Sequence, residues 1–76
     1  MKILLFAHLR EQLGASELIL DLEPLTVEEL MQRLREMYPS LALDHVMVAV
    51  NESLVDRGYP IQAADTVALL PPVSGG

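Results

Sequence analysis

The stretch "TVEELMQRLREMYP", Thr26–Pro39, decides how the rest of the chain must be arranged. Thr26 with Glu29 three residues later is the spacing of a capping box, in which each residue satisfies a backbone donor of the other. Val27, Leu30, Met31, Leu34, Met37 and Tyr38 then recur at the helical period and form one apolar stripe. Glu28, Glu29, Gln32, Arg33, Arg35 and Glu36 take the opposite side, with Glu29 and Arg33 spaced for an i,i+4 pair. Pro39 is a stop. The pattern predicts an amphipathic helix over 27–38. A helix with one apolar stripe needs one apolar layer to bury it, and the flanking sequence must supply that layer.

It does so with strands. "KILLFA" (2–7) is apolar on both faces and reads as a central strand. "HLREQLG" has Leu9 and Leu13 four apart and Gly14 as a left-handed stop, which predicts a short helical turn. In "SELILDL" (16–22), Leu18, Leu20 and Leu22 alternate with Glu17, Ile19 and Asp21, the mark of a half-buried strand antiparallel to the first. After the helix, "SLALDH" is irregular and "VMVAV" (46–50) is a β-branched strand. "NESLVDRGYPIQAAD" is turn-rich, with a short strand around Leu54–Val55 and a single turn near residues 61–64. "TVALL" (66–70) is the last strand, ended by Pro71-Pro72, which remove ladder donors. The order predicts an α+β domain in which one mixed sheet curls around one main helix.

With 76 residues the chain makes one domain. A domain of this size buries only about 60% of the surface its unfolded chain exposes. That favours a carrier, binding module or subunit over a self-sufficient enzyme. Five Lys+Arg against eleven Asp+Glu give a formal charge of -6. Phosphate neutralisation drives nucleic-acid binding, so this balance argues against DNA, RNA and anionic membranes. No apolar run approaches the roughly 20 residues of a membrane span, and Arg10 and Glu11 break "MKILLFAHLRE" too soon for a signal peptide. Without cysteine there is no disulfide framework or thiolate zinc site, and a soluble cytoplasmic protein is expected. His8 and His45 lack a ligand cluster. Ser16, Ser40, Ser53 and Ser74 lack a nucleophile setting, and the four glycines form no phosphate loop. The acidic pairs Glu28–Glu29 and Glu11–Glu17 read as solvated faces.

"LLPPVSGG" (69–76) has two readings, a frayed end or a working one. Pro71 and Pro72 stiffen the exit from the sheet. Gly75 and Gly76 lack Cβ atoms and suit a channel too narrow for other residues. A terminal glycine also leaves its carboxyl carbon open to attack once adenylation by ATP has supplied a leaving group. With no phosphate loop in this chain, a separate nucleotide-binding enzyme has to perform that step. If Val67 and Leu69 face the helix, Ala68 and Leu70 point outward. A large exposed leucine beside the tail asks for a partner, or is one of the scattered surface leucines every protein has. Arg10 and Glu11, just past the first strand, either contact a partner or cap a turn.

"LLFAHLREQLG", "TVEELMQRL", "VAVNESLV" and above all "DTVALLPPVSGG" carry a resemblance along nearly the whole chain. The sequence resembles the small subunit of molybdopterin synthase, a ubiquitin-like sulfur carrier with a β-grasp fold. The resemblance implies a carrier domain over 1–72 and a reactive tail over 73–76. It implies that a ubiquitin-activating-type adenylyltransferase uses ATP to adenylate Gly76, and that a persulfide donor converts the product to a thiocarboxylate. The charged carrier then docks on the large subunit within a heterotetramer. Pro71, Pro72, Val73, Ser74 and Gly75 lead into that subunit's active site, where sulfur passes to cyclic pyranopterin monophosphate to build the dithiolene of molybdopterin. Arg10, Leu54 and Leu70 match partner-interface positions. The carrier is expected to hold no cofactor or metal and to catalyse nothing alone. The family's Asp-Gly-Asp before the last strand is Ala64-Asp65 here, so that turn is expected to differ. A carrier for thiamin thiazole or tRNA thiolation, or a ubiquitin-like modifier of protein lysines, are the other readings.

Overall fold

In a computed structural model, residues 1–72 are described. The helix forms where its cap is: Glu29 N–H donates to Thr26 Oγ1 at 3.2 Å and Thr26 N–H donates to Glu29 Oε1 at 2.9 Å. Helix α2 then runs Val27–Met37. The two Thr26 bonds, the backbone one first, hold the Glu29 carboxyl below its ordinary range. Because that carboxylate is turned back to the cap, Arg33 acts on it only through space, and the expected Glu29–Arg33 ion pair is absent among the described residues. Val27, Leu30, Met31 and Leu34 are completely buried. Met37, expected on the same stripe, is 43% exposed. The chain leaves the helix at Tyr38, Leu41 N–H closes back on Tyr38 O, and Leu41, Leu43 and Val46 fill the core beyond the helix end.

The remaining elements are β1 (Lys2–Leu5), α1 (His8–Leu13), β2 (Glu17–Ile19), β3 (Leu25–Thr26), β4 (Met47–Val50), β5 (Ser53–Val55), β6 (Pro60–Ile61) and β7 (Thr66–Leu70). Five strands make one mixed sheet in the order β2-β1-β7-β4-β5. Strands β1 and β7 pair in parallel, Ile3 with Val67 and Leu5 with Leu69; the other pairs are antiparallel. Period-2 alternation sends Ile3, Leu5, Val48, Val50, Val67 and Leu69 inward, all nearly or completely buried, against the stripe of α2. This is the expected sheet curled on one helix. The two-residue ribbon β3–β6, Leu25 opposite Ile61 and Thr26 opposite Pro60, brings Ile61 into the core. The turn expected near 61–64 therefore begins one residue later, with Asp65 N–H closing on Gln62 O at 3.1 Å.

Strand β1 is central, as expected, with a neighbour on each side, but among the described residues no second layer covers its outer face: Leu4 is only partly buried and Phe6 is 41% exposed. The strand stops at Leu5, and Ala7 takes φ 53, ψ -129 to redirect the chain into α1, which ends on Gly14 at φ 78.

The turn before β7 works without the family's glycine because neither Ala63 nor Ala64 has a positive φ. Asp65 organises it. Its carboxylate accepts Gln62 N–H at 2.8 Å and Asn51 Nδ2–H at 3.0 Å, while Thr66 N–H donates to Asn51 Oδ1 at 3.0 Å. These bonds, Gln62 first, favour the charged form and lower the Asp65 pKa. A group depressed in the folded state stabilises fully above its unfolded pKa, about 3.9 for Asp, and that contribution disappears as pH falls through the folded value. Asp65→Asn is therefore expected to melt below the wild type at neutral pH, and the gap should narrow as pH drops below about 4. A gap that stays constant through acid titration would remove Asp65 from this role.

Candidate functional site

The sheet has one face against α2 and one face open. On the open face the register sets Glu17, Leu4, Ala68, Ala49 and Leu54 in one row across five strands, with Leu70 opposite Met47 in the next. Leu4, Phe6, Ala49, Ala68 and Leu70 form the apolar walls of a shallow groove of about 590 Å³, and Asn51, Glu52 and Thr66 form its polar end. The groove lies along β7, and β7 leads directly into Pro71 and Pro72.

The sequence-predicted residues fall unevenly around it. Leu70 lies on the outer face as the alternation of "TVALL" requires, but it is partly buried among its neighbours and not freely exposed. Leu54 is 62% exposed on the edge strand β5. Pro71 is partly buried and Pro72 exposed. Arg10 is exposed on α1; its carbonyl accepts Gly14 N–H, while its side chain, like that of Glu11, makes no hydrogen bond or ion pair among the described residues. Val73, Ser74, Gly75 and Gly76 lie outside the described residues.

Sequence reasoning missed Phe6 and the polar end of the groove. The signal for Phe6 was available: Leu4 and Phe6 share a face, and an apolar face with no layer of the same chain to cover it is an interface candidate. The polar end comes from the β4–β5 hairpin, where Asn51 (φ 49) and Glu52 (φ 72) make a two-residue turn with both central residues left-handed.

Elsewhere the surface offers less chemistry. A cleft of about 520 Å³ between residues 21–25 and α2 is walled mainly by Asp21, Glu23, Glu29, Arg33 and Glu36, and Glu29 is already engaged in the helix cap. Among the described residues no group of three or more His, Asp or Glu is placed to hold a metal ion, and no helix is long and apolar enough to cross a membrane.

Comparison with known proteins agrees with this geometry. The chain matches the ThiS family over residues 3–76. It is 39% identical over 82 residues to the molybdopterin synthase sulfur carrier subunit of Escherichia coli, spanning 100% of this chain and 99% of that one. Among solved structures, SAMP1 of Haloferax volcanii, a small archaeal modifier protein, superposes with a TM-score of 0.79 at 31% identity, covering 99% and 97% of the two chains. The complex of subunits 1 and 2 of the molybdopterin-converting factor from Helicobacter pylori contains a chain that matches with a TM-score of 0.72 at 26% identity, covering 99% and 96%. A β-grasp sheet with its outer face open and its last strand at the centre, matched along its whole length to these relatives, places the chain in the ThiS family, alongside the molybdopterin synthase sulfur carrier subunits.

Proposed function

We propose that this chain is the sulfur carrier subunit of a molybdopterin synthase and that Gly76 is its reacting residue. One observation carries the reading furthest. The open apolar face of the sheet runs along β7 to Leu70, the last residue before Pro71, so a partner that covers this face sits beside the point where the chain leaves the sheet. Docking and delivery thus share one strand.

The chemistry begins with an adenylyltransferase. A carboxylate oxygen of Gly76 attacks the α-phosphorus of ATP, and pyrophosphate leaves. A persulfide sulfur then attacks the acyl-adenylate carbon and expels AMP, and a thiol cleaves the resulting acyl disulfide to release the thiocarboxylate. On the large subunit the thiocarboxylate sulfur attacks a side-chain carbon of cyclic pyranopterin monophosphate and displaces the oxygen there. Water then attacks the Gly76 carbonyl carbon and breaks its bond to sulfur, which leaves sulfur on the pterin and a carboxylate on the carrier. Two such transfers complete the dithiolene. The carrier contributes the electrophilic carbon, the sulfur and the docking face. Leu54, Leu70 and Phe6 form the apolar part of that face, and Arg10, exposed on α1 with no side-chain partner among the described residues, is available for a polar contact. Pro71 and Pro72 aim the tail, and Val73, Ser74 and Gly75 give it reach.

Incubation with ATP, the cognate adenylyltransferase and a persulfide donor is expected to yield a species about 16 Da heavier, one oxygen replaced by sulfur, as thioacyl chemistry requires. Addition of the large subunit and its substrate should return the mass to its starting value. No mass change under these conditions would sink the proposal. A mass change followed by discharge only to thiamin-pathway or tRNA-thiolating partners would assign the carrier elsewhere. The archaeal neighbour's role as a modifier makes conjugation to protein lysines a further outcome the same incubation would reveal, as ladders of higher mass.

A further inference from the structure

The groove on the outer face is apolar at one end and, among the described residues that line it, carries one ionisable side chain, Glu52, at the other. Three observations set that residue apart. Glu52 is exposed, and no hydrogen bond or ion pair engages its carboxylate among the described residues. It occupies the second central position of a tight hairpin at φ 72, where glycine is relaxed and a side chain costs conformational energy. Its backbone is nonetheless held firmly, because the adjacent Asn51 donates N–H to Thr66 O at 2.8 Å and bonds Asp65 and Thr66 through its side chain. A residue whose backbone is fixed at the rim of an apolar groove, and whose carboxylate has no partner among the described residues, is placed for a contact these residues do not themselves make. Two other charges on this face, Lys2 on β1 and Glu17 on β2, lie toward the opposite edge and pair with each other at 4.0 Å, and the Asp65 carboxylate beside the polar end is already taken up by Asn51 and Gln62.

We propose that Glu52 is a specificity-determining contact that selects a cationic side chain, Arg or Lys, on the segment of the large subunit that fills the groove. The apolar wall of Leu4, Phe6, Ala68 and Leu70 receives an apolar neighbour of that cation. The inference rests on the carrier reading above for the identity of the partner. Charge complementarity sets its chemistry: the described residues lining the groove include no cation, and the chain has a formal charge of -6. A rim charge of this kind acts mainly on encounter, so its removal slows association and flattens the salt dependence.

The test measures association of the purified carrier with its large subunit over a range of ionic strength. Glu52→Gln is expected to slow association about threefold to tenfold at low salt, with the difference closing as salt is added. Glu52→Gly should show the same defect while melting about 4 °C higher, because relief of the left-handed strain moves stability opposite to binding. Glu52→Gln associating like the wild type at every ionic strength overturns the proposal, provided Leu70→Glu or Phe6→Glu abolishes binding. Wild-type binding by both of those variants instead removes the outer face, and with it the docking reading itself. If the carrier alone runs as a dimer that Phe6→Glu dissociates, the groove belongs to a second copy and the proposal also falls.

Discussion

A chain lacking Gly76 is expected to melt with the full-length protein and to transfer almost no sulfur. Among the described residues the core is closed from Ile3 to Leu69 and β7 ends at Leu70, so removal of the last residue leaves every one of these core side chains in place. The chemical interest of the deletion is that the shortened chain still ends in glycine. Gly75 offers the same unhindered carbonyl carbon, and the adenylation step can be tested on it directly. What changes is reach, by about 3.5 Å. A misplacement of about 1 Å in a reacting atom can cost about a hundredfold in rate. Single-turnover conversion of cyclic pyranopterin monophosphate should therefore fall by at least about a hundredfold. Transfer at the full-length rate would move the reacting group away from position 76, and a lowered melting temperature would give the tail a structural role.

Leu69→Ala is expected to do the reverse. Leu69 is completely buried at the centre of the sheet, opposite Leu5 on one side and Val48 on the other. Truncating a buried leucine to alanine costs about 3 kcal/mol, from lost transfer energy and the cavity left behind. A domain this small has a total stability near the low end of about 5 to 15 kcal/mol. The melting temperature should drop by about 15 °C, on the scale of about 4–8 °C per kcal/mol for a small domain. The next residue, Leu70, points to the other face and is only partly buried, so a comparable truncation there should act mainly on partner binding. A shift below about 3 °C for Leu69→Ala would mean that the core relaxes around the cavity or that β7 is not its centre.

The parts of the fold that could be read from the sequence are those with a period, a cap or clear bounds. Helix α2 announces itself by Thr26, Glu29 and a stripe at 3.6, and β7 by a short apolar run bounded by Asp65 and Pro71. The ribbon β3–β6 has two residues per strand, too few to show any period, and one of them is Pro60. Leu41, Leu43 and Val46 pack into the core from an irregular segment, where burial is set by the path of the chain and not by a repeat. "KILLFA" shows a deeper limit. Apolar residues on both faces of a strand mean that both faces are destined for cover, but not whether the cover is the same chain or another. Leu4 and Phe6 look like core in the sequence and line an open groove in the structure. Glu52 gave no signal at all, because its interest lies in a backbone conformation that glutamate does not advertise.

The parallel pairing of β1 with β7 has a mechanical consequence. Any machine that grips the C-terminal end and pulls along the strand loads β7 against β1 on one flank and β4 on the other. The rungs on both flanks then resist together in shear, and none can be opened ahead of the rest. A pull on the β5 edge would instead peel the sheet one rung at a time. The strand that leads to the C-terminus is therefore anchored where the domain is hardest to tear, and an unfoldase pulling from that end meets its stiffest path first.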